Sequence, residues 1–313
     1  TSIEGTMGEI VRNHSSPCRL GMTLFYWRTW ECGGGIGCSS SKLPGLRMVI
    51  VNELAPFLFR TVLFGQEVGI RWYGLAYVIG FVMGYLAMRN GIRRGKLTGM
   101  EEKDLDLLIT LIIGGVVLGG RLGYCLQHLD TWTKDPMFFF RFNQGGMAFF
   151  GGLAGVILAL MIFSRKRPVK FADLGDVATI PAALGLGIGR IANFINGELW
   201  GVPTNASWGV IYPQSGDRQL RHPSELYEML SHFALAGVLV WAGRTRWGQN
   251  RGALAAVFVL VYGLLRVITE HFRHATTYVG PLTNGQVASL VIAVIGGIGL
   301  TLVLRRAPKS SEA

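Results

Sequence analysis

Three arginines stand where arginine is costly. Arg121, Arg190 and Arg266 each interrupt an apolar run approaching the ~20 residues that cross a bilayer. An ionisable residue in such a run is a functional hypothesis by default. A guanidinium is a planar fork that grips two phosphate oxygens and keeps its charge, so the chemistry suggested is recognition of a phosphate-bearing group. Taken singly, each arginine could instead snorkel to the interface or pair with a carboxylate. Their companions favour a site. Tyr262, Arg266 and Glu270 recur at i, i+4, i+8 and so share one helical stripe, which leaves open whether Arg266 and Glu270 merely neutralise one another. Arg190 and Asn193 are three apart, with Asn196 and Glu198 following as the run ends. That density of polar groups suits a lipid headgroup or a peptide. Tyr73 is either an interface-belt aromatic or part of the same site.

Seven apolar spans position these residues, over 69–88, 105–124, 146–164, 174–195, 224–242, 252–270 and 285–304. The fold class expected is therefore all-α, a polytopic membrane protein. The fourth span is the weakest, because Pro181 and the glycines at 185, 187 and 189 interrupt it; neighbouring helices can satisfy the backbone groups that a break frees. At 1.5 Å per residue, Arg190 lies about 24 Å and Arg266 about 21 Å from the starts of their spans. Arg121 ends its own span, so all three fall in the same outer third of a ~30 Å core.

Charge in the loops sets the orientation. Arg89, Arg93, Arg94 and Lys96 follow the first span; Arg165, Lys166, Arg167 and Lys170 the third; Arg244, Arg246 and Arg251 the fifth; Arg305, Arg306 and Lys309 the last. The intervening loops are poorer in Lys and Arg. The positive-inside rule then gives an outside N-terminus and an inside C-terminus. The net charge of +11 is thus a membrane signature, since no nucleic-acid-binding motif accompanies it. Of the four cysteines, Cys18, Cys32 and Cys38 precede residue 48 and Cys125 stands alone, a spacing of neither disulfides nor a metal site. Residues 1–47 are polar and Gly/Ser-rich, an expected extension without a folded role; 48–306 form the membrane domain, with a small outer loop region at about 197–222, and 307–313 a cytoplasmic tail. Gly115–Gly119, Gly151–Gly155 and Gly185–Gly189 read as GxxxG helix-packing pairs.

Five runs, in order, carry a resemblance: WYGL (72–75), GGRLGY (119–124), GIGRIANFINGELWG (187–201), RHPSELYE (221–228) and YGLLRVITEHFR (262–273). Together they resemble the prolipoprotein diacylglyceryl transferase family, over about residues 68–305. The resemblance implies a seven-helix enzyme of the bacterial inner membrane that opens laterally to the bilayer. Its partners would be phosphatidylglycerol and a preprolipoprotein signal peptide with a lipobox cysteine, amid membrane lipids and without nucleic acid. It moves diacylglyceryl to the thiol, makes a thioether and releases glycerol phosphate, with no cofactor implied. Residue by residue, it places the essential arginines at Arg190 and Arg266, flanks them with Asn193, Asn196, Glu198, Tyr262 and Glu270, and adds Tyr73 and His222.

The sequence departs from the family at GGMAFFGG, where Phe150 stands in the place of a histidine assigned as base for the thiol. A smaller departure is Glu225, where the family more often has Gln. Either another group serves as base, with His222, Glu198, Glu270 or a tyrosinate as candidates, or the chain is an inactive lipid-binding relative. His222 has the suitable ordinary pKa, but its HPS context could instead cap the fifth span. Arg190 and Arg266 are assigned to the phosphate, with Arg121 as a third member. A transporter would also bury charge in its spans, but no internal repeat is present.

Overall fold

The computed structural model describes residues 27–29, 48–63, 66–142, 145–217, 219–274 and 277–306. Helices dominate: α1 Trp72–Arg93, α2 Leu105–Gln127, the single turn α3 Leu129–Trp132, α4 Phe149–Lys166, α5 Phe171–Asn196, α6 Ser224–Ala242, α7 Ala253–Glu270 and α8 Asn284–Leu304. Each long helix coincides with an expected span. Six are long and apolar enough to cross a membrane, α6 not among them, because Glu225, Glu228 and His232 load its first half with polar groups. Large apolar side chains on the outward faces stay exposed, among them Val82, Leu122, Leu158, Val294, Ile298 and Leu302. In water such a belt would be a liability; in hydrocarbon it is the solvated face.

The all-α expectation holds for the helical body but missed strands at its margins. A hairpin pairs β3 (Phe57–Leu63) with β4 (Gln66–Arg71), so 69–71, expected inside the first span, are extended and the helix starts at Trp72. A second sheet joins β1 (Trp27–Thr29), β2 (Met48–Val51), β5 (Val210–Ile211) and β6 (Leu220–Arg221) in that order, with β2 parallel to β5 in the register Ile50↔Val210. β7 (Tyr278–Val279) and β8 (Leu282–Thr283) lead into α8. Of the expected 1–47 extension only Trp27–Thr29 is described, antiparallel to β2; the rest, like the 307–313 tail, lies outside the described residues.

Close helix packing follows the glycines, with one correction. A Cβ at Gly115 would stand 2.5 Å from the Gly155 carbonyl, and one at Gly119 would collide with that of Gly151. The two GxxxG pairs therefore form one seam between α2 and α4. Gly185–Gly189 is not such a pair, since a Cβ at Gly189 would meet nothing within 4 Å. Gly187 between them is the packing glycine, 2.5 Å from the Phe233 ring by the same construction. Nor is the fourth span broken. α5 is a continuous helix of 26 residues with Pro181 inside it. Proline removes only one N–H, and α5 is supported by α1, α6 and α7.

Ion pairs fasten the end of the bundle where the basic loops lie. Arg251 reaches Asp173 on α5 at 2.6 Å. Asp176, one turn on, accepts N–H bonds from Gly252 and Ala255 at 2.6 and 2.9 Å, satisfying orphan donors at the start of α7. α5 and α7 thus leave this end tied together and run in the same direction. That fixes the depth of Arg190 relative to Arg266.

Candidate active site

Opposite the basic loops, α5, α6 and α7 bring their ionisable residues to one carboxylate. Glu228 of α6 is 2% exposed. Its Oε1 accepts from Arg266 Nη1 at 2.5 Å, and its Oε2 lies 2.6 Å from Arg190 Nε. Arg273, just past α7, approaches Oε1 at 3.7 Å. The other fork nitrogen of Arg266 meets Glu270 Oε2 at 2.6 Å. Three guanidiniums against two carboxylates leave this cluster net positive. The Arg190–Glu228 contact is close but poorly aligned, since Glu228 Oε2 has no hydrogen bond of good geometry. A second anion could compete for the same guanidinium.

A hydrogen-bonded chain extends the cluster to α1. Arg190 Nη1 donates to Asn193 Oδ1 at 3.3 Å, and Asn193 Nδ2 donates to the Tyr73 hydroxyl at 2.7 Å and to Glu198 Oε2 at 3.5 Å. Tyr73, at the first turn of α1, is therefore part of the network. Glu198 is exposed, where an incoming group could meet it. On the far side, Tyr262 stacks on Phe258 at 5.9 Å and sits 5.7 Å from the His232 ring. Tyr262, Arg266, Ser231, His232 and Thr269 line a recess. Arg190, Arg266, Tyr73, Asn193, Glu198, Tyr262 and Glu270 are thus brought together. Asn196, at the end of α5, has its Oδ1 buried without a hydrogen-bond partner.

Two expected members have other occupations. Arg121 is 1% exposed and spends its guanidinium on main-chain carbonyls: Phe139 at 2.8 Å, Gly145 at 2.5 Å, Gly146 at 3.1 Å, Arg141 at 3.2 Å and, closest, Phe138. The rings of Tyr124, Phe138 and Phe142 lie 5.1–5.5 Å from its carbon. It pins the loop between α2 and α4 and offers no donor to a phosphate. His222 faces the outer loops. Its Nδ1 is 3.0 Å from the Tyr227 hydroxyl, which accepts from Trp208 Nε1 at 2.8 Å, and its ring meets Phe272 edge-on. Burial, then the nearby His271, lowers its pKa. It does not cap α6 either. Pro223 occupies that position without a side-chain cap, and Ser224 Oγ donates to the Leu199 carbonyl.

The loop holding these residues is built around glycines and one strained backbone. Gly197 ends α5 in the left-handed region at φ 63°, the usual helix-stopping use of glycine. Leu199 adopts φ 63° without being glycine, a conformation that persists only where the surroundings impose it. Gly201 lies so close to the Phe272 and His222 backbones that a Cβ there would collide with both. The GELWG run is thereby pressed onto the ends of α6 and α7, beside the cluster.

Glu228 and Arg273 were not singled out from the sequence, although both stand inside the quoted runs 221–228 and 262–273. The rule that flagged the arginines would have flagged Glu228 as an acid within an apolar span. Arg273 lies three residues beyond α7, where loop arginines are commonplace. Phe150 is at the first turn of α4 and 68% exposed, its ring against Phe149. It supplies no proton acceptor.

The family model described as prolipoprotein diacylglyceryl transferase matches residues 61–302. Curated relatives carry the name phosphatidylglycerol–prolipoprotein diacylglyceryl transferase. One from Bordetella parapertussis is 40% identical over 245 residues, covering 76% of this chain and 92% of the relative. One from Bradyrhizobium diazoefficiens is 38% identical over 283 residues, covering 84% and 94%. One from Shewanella oneidensis is 39% identical over 275 residues, covering 84% and 97%. Arginines converging from separate apolar helices and a match across almost the whole helical body agree: this chain is a multi-pass membrane protein of the prolipoprotein diacylglyceryl transferase family.

Proposed function

We propose that this chain transfers the diacylglyceryl group of phosphatidylglycerol to the lipobox cysteine thiol of prolipoproteins; the names of its relatives give phosphatidylglycerol, prolipoprotein and the transferred diacylglyceryl group. The observation that carries the reading is the meeting of Arg190, Arg266 and Arg273 on Glu228. The reaction is attack by a thiolate on a glycerol carbon, expelling a phosphate ester. Thiolate is the competent nucleophile, and the leaving phosphate gathers charge that preorganised donors stabilise in a dry site. Arg190 and Arg266 would take the phosphate oxygens, loosening their hold on Glu228. Asn193, Glu198 and Tyr73 would orient glycerol hydroxyls or the peptide, and Tyr262 would line the lipid side.

The same reading places the chain in the bacterial inner membrane. All seven long helices cross it, α6 shielded by its neighbours, with the N-terminus outside and the C-terminus inside. The loop arginines support this orientation. Arg121 and His222, given their partners, act as scaffolding rather than as phosphate ligand and base.

The test is mass spectrometry of a lipobox peptide incubated with the purified protein in phosphatidylglycerol vesicles. A diacylglyceryl adduct on cysteine is expected. Binding of the lipid with no adduct would favour an inactive lipid-binding relative.

A further inference from the structure

We propose that Glu225, rather than a histidine, is the final acceptor of the proton that the substrate thiol must lose. The inference rests on the transfer reaction proposed above. Glu225 stands in the first turn of α6, three residues before Glu228, so the two project from one helical face with Cβ atoms about 5–6 Å apart. Its side chain is 1% exposed. Tyr212, itself fully buried, donates its hydroxyl to Oε2 at 3.1 Å. Oε1 has no hydrogen-bond partner.

The other acids at this end differ. Glu228 and Glu270 each hold a guanidinium within 2.6 Å, and Glu198 is exposed. Glu225 forms no ion pair among the described residues, although Arg190 of α5 and Glu228 of its own helix lie close enough to influence it. An anionic carboxylate buried without a cation is expensive, and a proton removes that cost. This is the property wanted of a proton acceptor, and Glu225 stands on the helix that carries Glu228, on which the arginines meet. The balance of charge fits as well. With Glu225 neutral, the cluster keeps the positive charge needed to hold the departing phosphate.

The step balances without a further reactant. The thiol proton passes to the Glu225 carboxylate, across one hydroxyl or water since the group is buried. A sulfur lone pair makes the S–C bond to glycerol, and the C–O bond to phosphate breaks with its electron pair on the phosphate oxygen. Departing glycerol phosphate then takes up the proton and resets the carboxylate.

The experiment measures thioether formation against pH for wild type, Glu225→Gln and Tyr212→Phe, with phosphatidylglycerol binding measured alongside. Gln keeps the shape and can still accept from Tyr212, so Glu225→Gln should bind lipid normally and lose about 100-fold in rate near neutrality. It should regain rate only in alkali, where the thiol ionises unaided. Tyr212→Phe removes a hydrogen bond to the carboxylate and should move the acid limb of the profile to higher pH. A Glu225→Gln variant with the wild-type rate and profile would overturn the proposal, and so would one that loses lipid binding and rate together. If Glu225→Gln does not fold, an unmoved acid limb in Tyr212→Phe overturns it instead. No adduct from wild type would refute the transfer reaction itself.

Discussion

The molecule buries arginine in two ways, and the contrast explains why only one of them suits catalysis. Arg121 is enclosed by five carbonyls and three aromatic rings. Its partners are fixed main-chain dipoles, so its charge is spent on holding the α2–α4 loop. Arg190 and Arg266 face a side-chain carboxylate, Glu228, in contacts of 2.6 and 2.5 Å. A carboxylate can be exchanged for a phosphate of the same charge sign and similar fork geometry. A ring of carbonyls cannot. Depth in the membrane placed all three arginines in one class; their partners separate them.

Substitutions that break the contrast should differ in kind. Arg190→Ala and Arg266→Ala should each lower thioether formation per folded molecule by about 10²–10³-fold, the usual cost of removing a preorganised donor to developing charge, with a lower thermal midpoint expected only for Arg266→Ala, which takes the ion pair from buried Glu270. Arg121→Ala should do the reverse. Losing the guanidinium removes five hydrogen bonds to part-buried carbonyls, at about 1 kcal/mol each, so the thermal midpoint in detergent falls. The molecules that remain folded should turn over at close to the normal rate. Glu228→Gln sharpens the comparison. It removes the charge shared by the three arginines, and both headgroup affinity and rate should change by roughly tenfold, affinity upward and rate downward as the guanidiniums lose their orientation. The smallest effect is expected of His222→Ala. It should cost about 1 kcal/mol of stability through its Tyr227 contact and leave the pH–rate profile in place; a displaced profile would return His222 to the chemistry.

Much of this was legible in the residues. Hydropathy located every long helix, because lipid demands an unbroken apolar run and closed backbone hydrogen bonding. The arginine rule found Arg190 and Arg266, and helical spacing found Asn193, Tyr262 and Glu270. What failed has physical causes. Depth alone cannot say which way a side chain turns, so it groups Arg121 with its peers, and only the carbonyl cage separates them. Proline and three glycines read as a break in α5, but packing on three sides keeps the helix whole. Two-residue strands such as β5 and β6 lack any period to detect, and they fix the loop bearing His222. Glu228 shares α6 with Glu225 and His232, which dilutes the signal of any one acid.

The central claim is that Arg190 and Arg266 act as one clamp on a single phosphate. A double-mutant cycle on the rate of thioether formation tests it most directly, with Arg190→Ala, Arg266→Ala and the double variant in the same vesicles. A shared ligand predicts strong non-additivity, the double variant being little slower than either single one. If the two losses multiply instead, the arginines serve separate ends and the clamp does not exist.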